Sequence, residues 1–259
     1  MKNNDEELRV GFYGISGCAG CLLTVLYEKC FEELTHLVDI KSFPLIKEDE
    51  YEGQFDYLFV EGTVCFDEDI IKLNKLRDRA ENLVALGSCA CFGGVPSLQN
   101  FKDKDEVMRF VYPSHNKLKE EPPTPLNKHV EVDYYIPQCP PNPEEIVAFI
   151  KDMILGKKFK KYKSPVCFEC RKKGNKCLLE GGELCLGPVT RGGCKAICPS
   201  NGITCYGCRG PCPDANFEAF MDVLKEKGFT KKQVKGKMET FAGLQFKEEN
   251  EKSSTWLEK

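Results

Sequence analysis

The chain concentrates thiol chemistry in one short segment. Eight of its sixteen cysteines lie between Cys167 and Cys208, with the spacing C-x2-C-x6-C-x7-C-x8-C-x3-C-x6-C-x2-C. Four thiolates are the ligand set of a [4Fe–4S] cluster or of a structural zinc ion. The consecutive quartets are Cys167, Cys170, Cys177 and Cys185, and then Cys194, Cys198, Cys205 and Cys208. We therefore predict two four-thiolate sites in this segment.

Four further cysteines are dispersed through the first part of the chain. They are Cys18, Cys21, Cys89 and Cys139. Cys18 and Cys21 follow the first predicted strand, Cys89 follows the fourth and Cys139 follows the fifth. The carboxyl ends of parallel strands meet at one edge of a sheet. The C-x2-C pair alone would be typical of a thioredoxin-like redox pair. The convergence of all four on one edge favours a third four-thiolate site.

Alternating strand and helix patterns position these cysteines. Short apolar runs predict strands at residues 8–14, 38–43, 56–60, 83–86 and 132–136. Apolar residues at helical spacing predict helices at residues 21–34, 67–82 and 142–155. This alternation is typical of an α/β fold with a parallel sheet. We predict a flavodoxin-like parallel sheet domain followed by a small irregular iron–sulfur domain.

A basic linker, GKKFKKYK, separates the two predicted domains. After it cysteine, glycine and proline dominate, so bound metal must supply much of the folding energy. We predict a sheet domain at residues 1–156, a two-cluster domain at 157–215 and a helical tail at 216–259. The tail carries helix patterns at 216–227 and from Thr230, where Thr230 and Gln233 have the spacing of a capping box. We expect its polar end to fray from about Lys247.

Composition limits the function classes. The 259 residues carry a net charge of −3 with a pI of about 5.8, which gives no argument for nucleic-acid binding. No apolar run approaches the roughly 18 residues of a membrane span. The N-terminal sequence MKNNDEELRV has neither a secretory core nor a twin arginine, so we predict a cytoplasmic protein. In that reducing compartment sixteen cysteines indicate metal ligation rather than disulfides.

The remaining cysteines and Glu61 have weaker patterns. Cys30 lies on an apolar helix face and is expected in the core, while Cys65 and Cys91 are expected to pack beside the upstream site. Cys212 is left as a spare thiol. Glu61 follows the third predicted strand and serves either as a capping acceptor, which we favour, or in a proton path. The histidines, His36, His115 and His129, form no spaced pair.

Several motifs resemble the small subunit of nickel–iron hydrogenases. They are SGCAGC at 16–21, EGTV at 61–64, GSCACFGGVPS at 87–97, CPP at 139–141, and the segment Cys177–Cys208 with its GPVT and CxGC sequences. The similarity covers about residues 8–215. The chain is similar to the cytoplasmic archaeal type, the sulfhydrogenase delta subunit and the gamma subunit of F420-non-reducing hydrogenase.

The resemblance implies three [4Fe–4S] clusters that transfer electrons. Cys18, Cys21, Cys89 and Cys139 would hold a proximal cluster facing the nickel–iron site of a large-subunit partner. The quartet from Cys167 would hold a distal cluster and the quartet from Cys194 a medial one. Cys167 stands where periplasmic members have a histidine, and Cys198 adds a thiolate where those members have a [3Fe–4S] cluster. Electrons would pass between the nickel–iron site and further electron-transfer subunits with flavin or iron–sulfur centres.

The cysteine pattern has other interpretations. A zinc-stabilised interaction module and a free-standing ferredoxin-like carrier are alternatives from other classes. The cluster subunit of respiratory complex I shares the N-terminal domain, but it carries adjacent cysteines in place of C-x2-C and lacks the C-terminal eight. The final electron acceptor stays open, because its site would lie on another subunit.

Overall fold

A computed structural model describes residues 7–47, 51–111, 121–159 and 162–253. His115 and two lysines of the basic linker, Lys160 and Lys161, lie outside these ranges. The chain forms two compact units, one of residues 1–91 with 113–160 and the other of residues 92–112 with 161–259.

The first unit is built on a five-stranded parallel sheet with the order β2-β1-β3-β4-β5. The strands are β1 Arg9–Gly14, β2 Asp39–Ser42, β3 Phe55–Glu61, β4 Ala80–Leu86 and β5 Tyr134–Ile136. This is the strand order of flavodoxin-like folds, so the predicted fold class is confirmed. In register, Glu61 pairs with both Gly14 and Leu86, and Leu86 pairs with Ile136. Four strands therefore end at one level of the sheet.

Ten α-helices accompany the strands in the part of the chain that the structure describes. They are α1 Gly20–Val25, α2 Glu28–Thr35, α3 Asp67–Asp78, α4 Gly87–Phe92, α5 Lys104–Val111, α6 Pro143–Ile154, α7 Val166–Lys172, α8 Ile197–Ser200, α9 Phe217–Glu226 and α10 Lys231–Ser253. None of them combines the length and apolar character needed to cross a membrane.

Two predicted helices differ from the structure. The helix predicted at 21–34 is interrupted, because Tyr27 takes an extended backbone conformation (φ −56°, ψ 128°) and starts α2. Apolar spacing continues across this break, which hides it from a periodicity argument. The helix predicted at 67–82 ends at Asp78, because Ala80 already pairs with Phe55 and begins β4. Strand β4 is thus longer at its start than predicted, and β5 is shorter, beginning at Tyr134.

An aromatic cluster on α6 joins this helix to the sheet. Phe149 is fully buried, and its ring meets those of Phe59 and Tyr134 edge-on at centroid distances of 5.7 and 5.1 Å. The helix start also follows the sequence: the Asn142 side chain accepts a hydrogen bond from the Glu144 N–H at 3.1 Å. Edge-to-face pairs add stability beyond the burial of apolar area.

Replacing Phe149 by alanine is expected to lower the free energy of unfolding by about 3–5 kcal/mol, because the large side chain leaves a cavity between α6 and the sheet. Urea unfolding followed by circular dichroism measures the loss. Leu155→Ala, at a residue 63% exposed beyond the same helix, is the control and should change stability by less than about 0.5 kcal/mol. Equal effects of the two variants would contradict this account of the core.

The second unit has a core to which the cysteine-rich segment and the C-terminal helices both contribute. Val166 and Leu186 come from the cysteine-rich part, and Phe220 of α9 and Phe246 of α10 are buried in the same cluster. Residues after the predicted boundary at 216 therefore complete this core, because the cysteine-rich segment alone offers few apolar side chains. The boundaries 1–156, 157–215 and 216–259 stay a prediction. The compact units group residues 92–112 with the second unit.

Helix α10 begins as predicted and ends later than predicted. Thr230 and Gln233 exchange hydrogen bonds, with Gln233 N–H donating to Thr230 Oγ1 at 3.3 Å and Thr230 N–H to Gln233 Oε1 at 2.9 Å. The expected fraying does not extend over residues 247–253, since α10, which is kinked at Ala242, continues to Ser253. Burial of Phe246 and Asn250 holds this last part. Residues 254–259 lie outside the described ranges.

Candidate metal-cluster sites

Asp69 joins two loops at the carboxyl edge of the sheet. Its carboxylate accepts hydrogen bonds from Ser16 Oγ at 2.7 Å and Ser16 N–H at 3.2 Å, in the loop after β1. The same group accepts from the Cys65 N–H at 2.9 Å, in the loop after β3. Asp69 is 8% exposed and lies in the first turn of α3. It therefore fixes the loop that carries Cys18, a role that sequence reasoning did not find.

Glu61 is the last residue of β3 and contacts the segment that follows Cys18. Its carboxyl group interacts with the backbone N–H groups of Ala19 and Cys21, at the start of α1, and with the Cys21 thiol. Burial raises the pKa of Glu61, and these three hydrogen bonds oppose the rise. The expected role as a capping acceptor agrees with this geometry. Gly14 and Gly17 provide space for the Glu61 carboxyl group, because a Cβ at Gly14 would lie 3.2 Å from Glu61 Oε1 and a Cβ at Gly17 would lie 3.1 Å from it.

The upstream cysteines meet at the same edge. Burial raises the pKa of the Cys21 thiol, and the further contributors are Glu61, Cys89, Cys139 and Cys18, in falling order. Cys139 also has a raised pKa, first from burial and then from Cys18 and Glu61. All four predicted proximal cysteines thus lie at one edge of the sheet, in segments that follow β1, β4 and β5. Their role as ligands stays a prediction.

Gly87 provides space beside Cys21. It has a φ of +90°, and a Cβ built on it would overlap Cys21 Sγ. The following residue, Ser88, donates its N–H to the Gln138 carbonyl at 3.1 Å. This bond ties the loop bearing Cys89 to the loop bearing Cys139.

The first C-terminal quartet surrounds a cavity of about 610 Å³. Cys167 and Cys170 lie three positions apart on α7, so their side chains share one helix face. All four predicted distal thiols, Cys167, Cys170, Cys177 and Cys185, line the cavity. Burial raises the pKa of Cys167 to about 12, with smaller contributions from the other three. Ligation would remove these protons, because the thiolate is the species that binds metal.

The walls of this cavity suit a cluster. Gly187 has no side chain where a Cβ would lie 3.1 Å from Cys167 Sγ and 3.5 Å from Cys185 Sγ. The Cys205 N–H donates to Cys185 Sγ at 3.2 Å, and Asn175 Nδ2 donates to Cys170 Sγ at 3.5 Å. Hydrogen bonds to sulfur are one of the means by which proteins set cluster potentials.

The second C-terminal quartet is less uniform. Cys205 is buried, and the pKa of its thiol is raised by burial and also by Cys208. The pKa of Cys198 is raised by burial and then by Cys185, which is a predicted distal ligand. Cys194 is flanked by the charged groups of Glu169 and Arg209. The division into medial and distal quartets therefore stays a prediction.

The four remaining cysteines have other surroundings. Cys30 is 3% exposed within the core of the first unit, as expected. Cys91 is buried and its thiol lies 3.5 Å from the Ala85 carbonyl, whereas Cys65 is half-buried. Cys212 is buried, with its thiol donating to the Lys163 carbonyl at 2.8 Å. Over the described ranges, no group of three or more His, Cys, Asp or Glu side chains is drawn together as it would be around a single metal ion.

Comparison with known proteins agrees with this architecture. The family model of the NADH ubiquinone oxidoreductase 20 Kd subunit matches residues 18–153. Sulfhydrogenase 2 subunit delta of Pyrococcus furiosus is 35% identical over 239 residues, covering 91% of this chain and 99% of that protein. A subunit of the F420-non-reducing hydrogenase of Methanocaldococcus jannaschii is 34% identical over 236 residues, covering 78% of this chain and 82% of that protein.

A solved structure shares the fold. One chain of the NAD+-reducing [NiFe]-hydrogenase in its H2-reduced state aligns with a TM-score of 0.51 and 27% identity, over 59% of this chain and 94% of that one. The fold and the thiol positions define a class of α/β redox subunits with cysteines at the carboxyl ends of parallel strands. The chain belongs to the NADH ubiquinone oxidoreductase 20 Kd subunit family, among its hydrogenase small subunits.

Proposed function

We propose that this chain is the electron-transfer small subunit of a cytoplasmic nickel–iron hydrogenase. It passes electrons between the nickel–iron site of a large subunit and further redox subunits through three [4Fe–4S] clusters. The observation that carries the proposal is that the loops before Cys89 and Cys139 are joined by the Ser88 N–H bond to the Gln138 carbonyl, while Gly87 leaves room beside them for Cys21 Sγ. Hydrogenase small subunits are parts of an oxidoreductase, and the reaction with hydrogen takes place on the partner chain.

The residues of this chain supply ligands, orientation and shielding. When bound, each cluster accepts and releases one electron at a time. The proximal thiols would hold a cluster at the sheet edge, where Asp69 fixes the loop and Glu61 caps α1. The distal thiols would hold a cluster in the cavity beside α7, and Gly187 leaves it room. Of the predicted ligands, Cys21, Cys185 and Cys205 are buried, which shields these thiols from water and oxidants, whereas Cys18, Cys139 and Cys177 are exposed.

Metal analysis of the protein purified without oxygen tests this proposal. Three quartets that each hold four irons predict about twelve iron atoms and as many acid-labile sulfides per chain. A co-purifying partner should contain nickel. Iron near eight per chain, or stoichiometric zinc without iron, would contradict three clusters. Full iron content without a nickel-bearing partner would favour a free-standing ferredoxin-like carrier instead.

A further inference from the structure

A carboxylate of the predicted distal site extends to the loop of the predicted medial site. Glu169 lies on α7 between Cys167 and Cys170. Its Oε1 accepts the Gly193 N–H at 2.8 Å, and its Oε2 accepts the Ala196 N–H at 3.2 Å. The same Oε2 lies 3.9 Å from Cys194 Sγ. One negative charge is therefore held beside a predicted medial ligand.

The loop that Glu169 holds has an unfavourable backbone. Lys195 and Ala196 both take left-handed conformations, with φ of 54° and 48°, although neither is glycine. Such residues persist where the surrounding contacts determine them. On the other side of the loop, the buried Arg209 donates from Nε to the Gly192 carbonyl at 2.6 Å. Glu169 is thus in a fixed position, and its charge has a defined place.

A lysine of the C-terminal helix supplies the opposite charge. Lys237 of α10 donates to Thr204 Oγ1, and its Nζ lies 3.9 Å from the centre of the Tyr206 ring. Burial lowers the pKa of Lys237, whereas Cys185 and Cys205 raise it. Thr204 and Tyr206 flank Cys205 in the chain, and the Cys205 N–H donates to Cys185 Sγ at 3.2 Å. The ammonium group therefore lies beside one predicted medial ligand and close to one predicted distal ligand.

We propose that Glu169 and Lys237 set the reduction potentials of the two C-terminal clusters in opposite directions. This inference rests on the proposed function, since it needs clusters at the two quartets. An added electron makes a cluster more negative, so a nearby anion disfavours reduction and a nearby cation favours it. Partly buried charges are screened less by salt than exposed ones. Neither residue is a predicted ligand, so each would act on the clusters through its charge.

The directions follow from the placement of each charge. Glu169→Gln removes the anion beside Cys194, so the potential of the medial cluster should rise. Lys237→Met keeps an apolar side chain and removes the cation, so the potentials of both clusters should fall. We expect each change to alter the reduced-to-oxidised ratio at the wild-type midpoint by about tenfold, which is about 59 mV for a one-electron couple.

Redox titration of the holoprotein, followed by electron paramagnetic resonance, measures these shifts. Iron content and the urea midpoint are recorded for every variant. Glu169→Asp and Lys237→Arg keep the charges and should return the potentials towards the wild-type values. Glu226→Gln and Lys232→Met, at exposed positions of the C-terminal helices, are the matched controls and should change neither potential.

The outcomes separate this inference from the proposed function. Opposite shifts at full iron content, with rescue by the charge-conserving variants, support it. Shifts of the same sign in both variants, or none, would overturn it, because a purely structural role does not depend on the sign of the charge. Loss of iron in the neutral variants that the charge-conserving variants do not restore would also overturn it. A wild-type protein without iron–sulfur signals would instead refute the proposed function.

Discussion

Alanine in place of Gly87 is expected to remove the predicted proximal cluster. The new Cβ would overlap Cys21 Sγ, and the φ of +90° is one that residues with a side chain rarely adopt. Cys21 cannot then keep its position relative to Cys89 and Cys139. Iron should fall from about twelve to about eight atoms per chain, because one of three four-iron sites is lost. Iron analysis and electron paramagnetic resonance of the anaerobic protein measure the loss.

Gly156→Ala is the matched control for this variant. Gly156 also has a positive φ, +62°, but a Cβ there meets no atom within 4 Å. It therefore introduces comparable backbone strain without crowding a thiol, and its iron content should equal that of the wild type. Full iron content in Gly87→Ala would show that Cys21 is not a ligand in the expected position.

Alanine in place of Cys198 is expected to convert one cubane into a [3Fe–4S] cluster. Cys198 lies on the short helix α8 and supplies the fourth thiolate of the predicted medial quartet. Loss of one thiolate releases one iron and removes the electron-donating sulfur, so the potential of this cluster should rise. Low-temperature electron paramagnetic resonance of the oxidised protein should show a new signal, and iron should fall by about one atom per chain.

Cys212→Ala serves as the control, because this buried thiol bonds to the Lys163 carbonyl and is not a predicted ligand. It should leave both the spectrum and the iron content unchanged. An unchanged spectrum in Cys198→Ala would show that Cys198 binds no cluster. A change confined to the distal signal would assign Cys198 to the same cluster as Cys185, and the division into consecutive quartets would be wrong.

The sequence was sufficient to predict the parallel sheet and the edge of it at which the upstream cysteines lie. Each strand is a short apolar run, and the predicted strand ends already carried Cys18, Cys89 and Cys139. The rule that parallel strands end at one edge then brings distant residues together. Helix boundaries were less predictable, because apolar spacing continues through Tyr27 and the start of β4 depends on pairing with Phe55.

Only the tertiary structure decided which charges surround the C-terminal thiols. Glu169 contacts a loop 24 positions further along the chain, and Lys237 contacts a residue 33 positions away. No local pattern marks either residue, since glutamate and lysine are frequent on exposed helix faces. The number and spacing of the cysteines are local properties that the sequence itself contains. The electric field around them arises from packing between distant segments, so it depends on the folded chain.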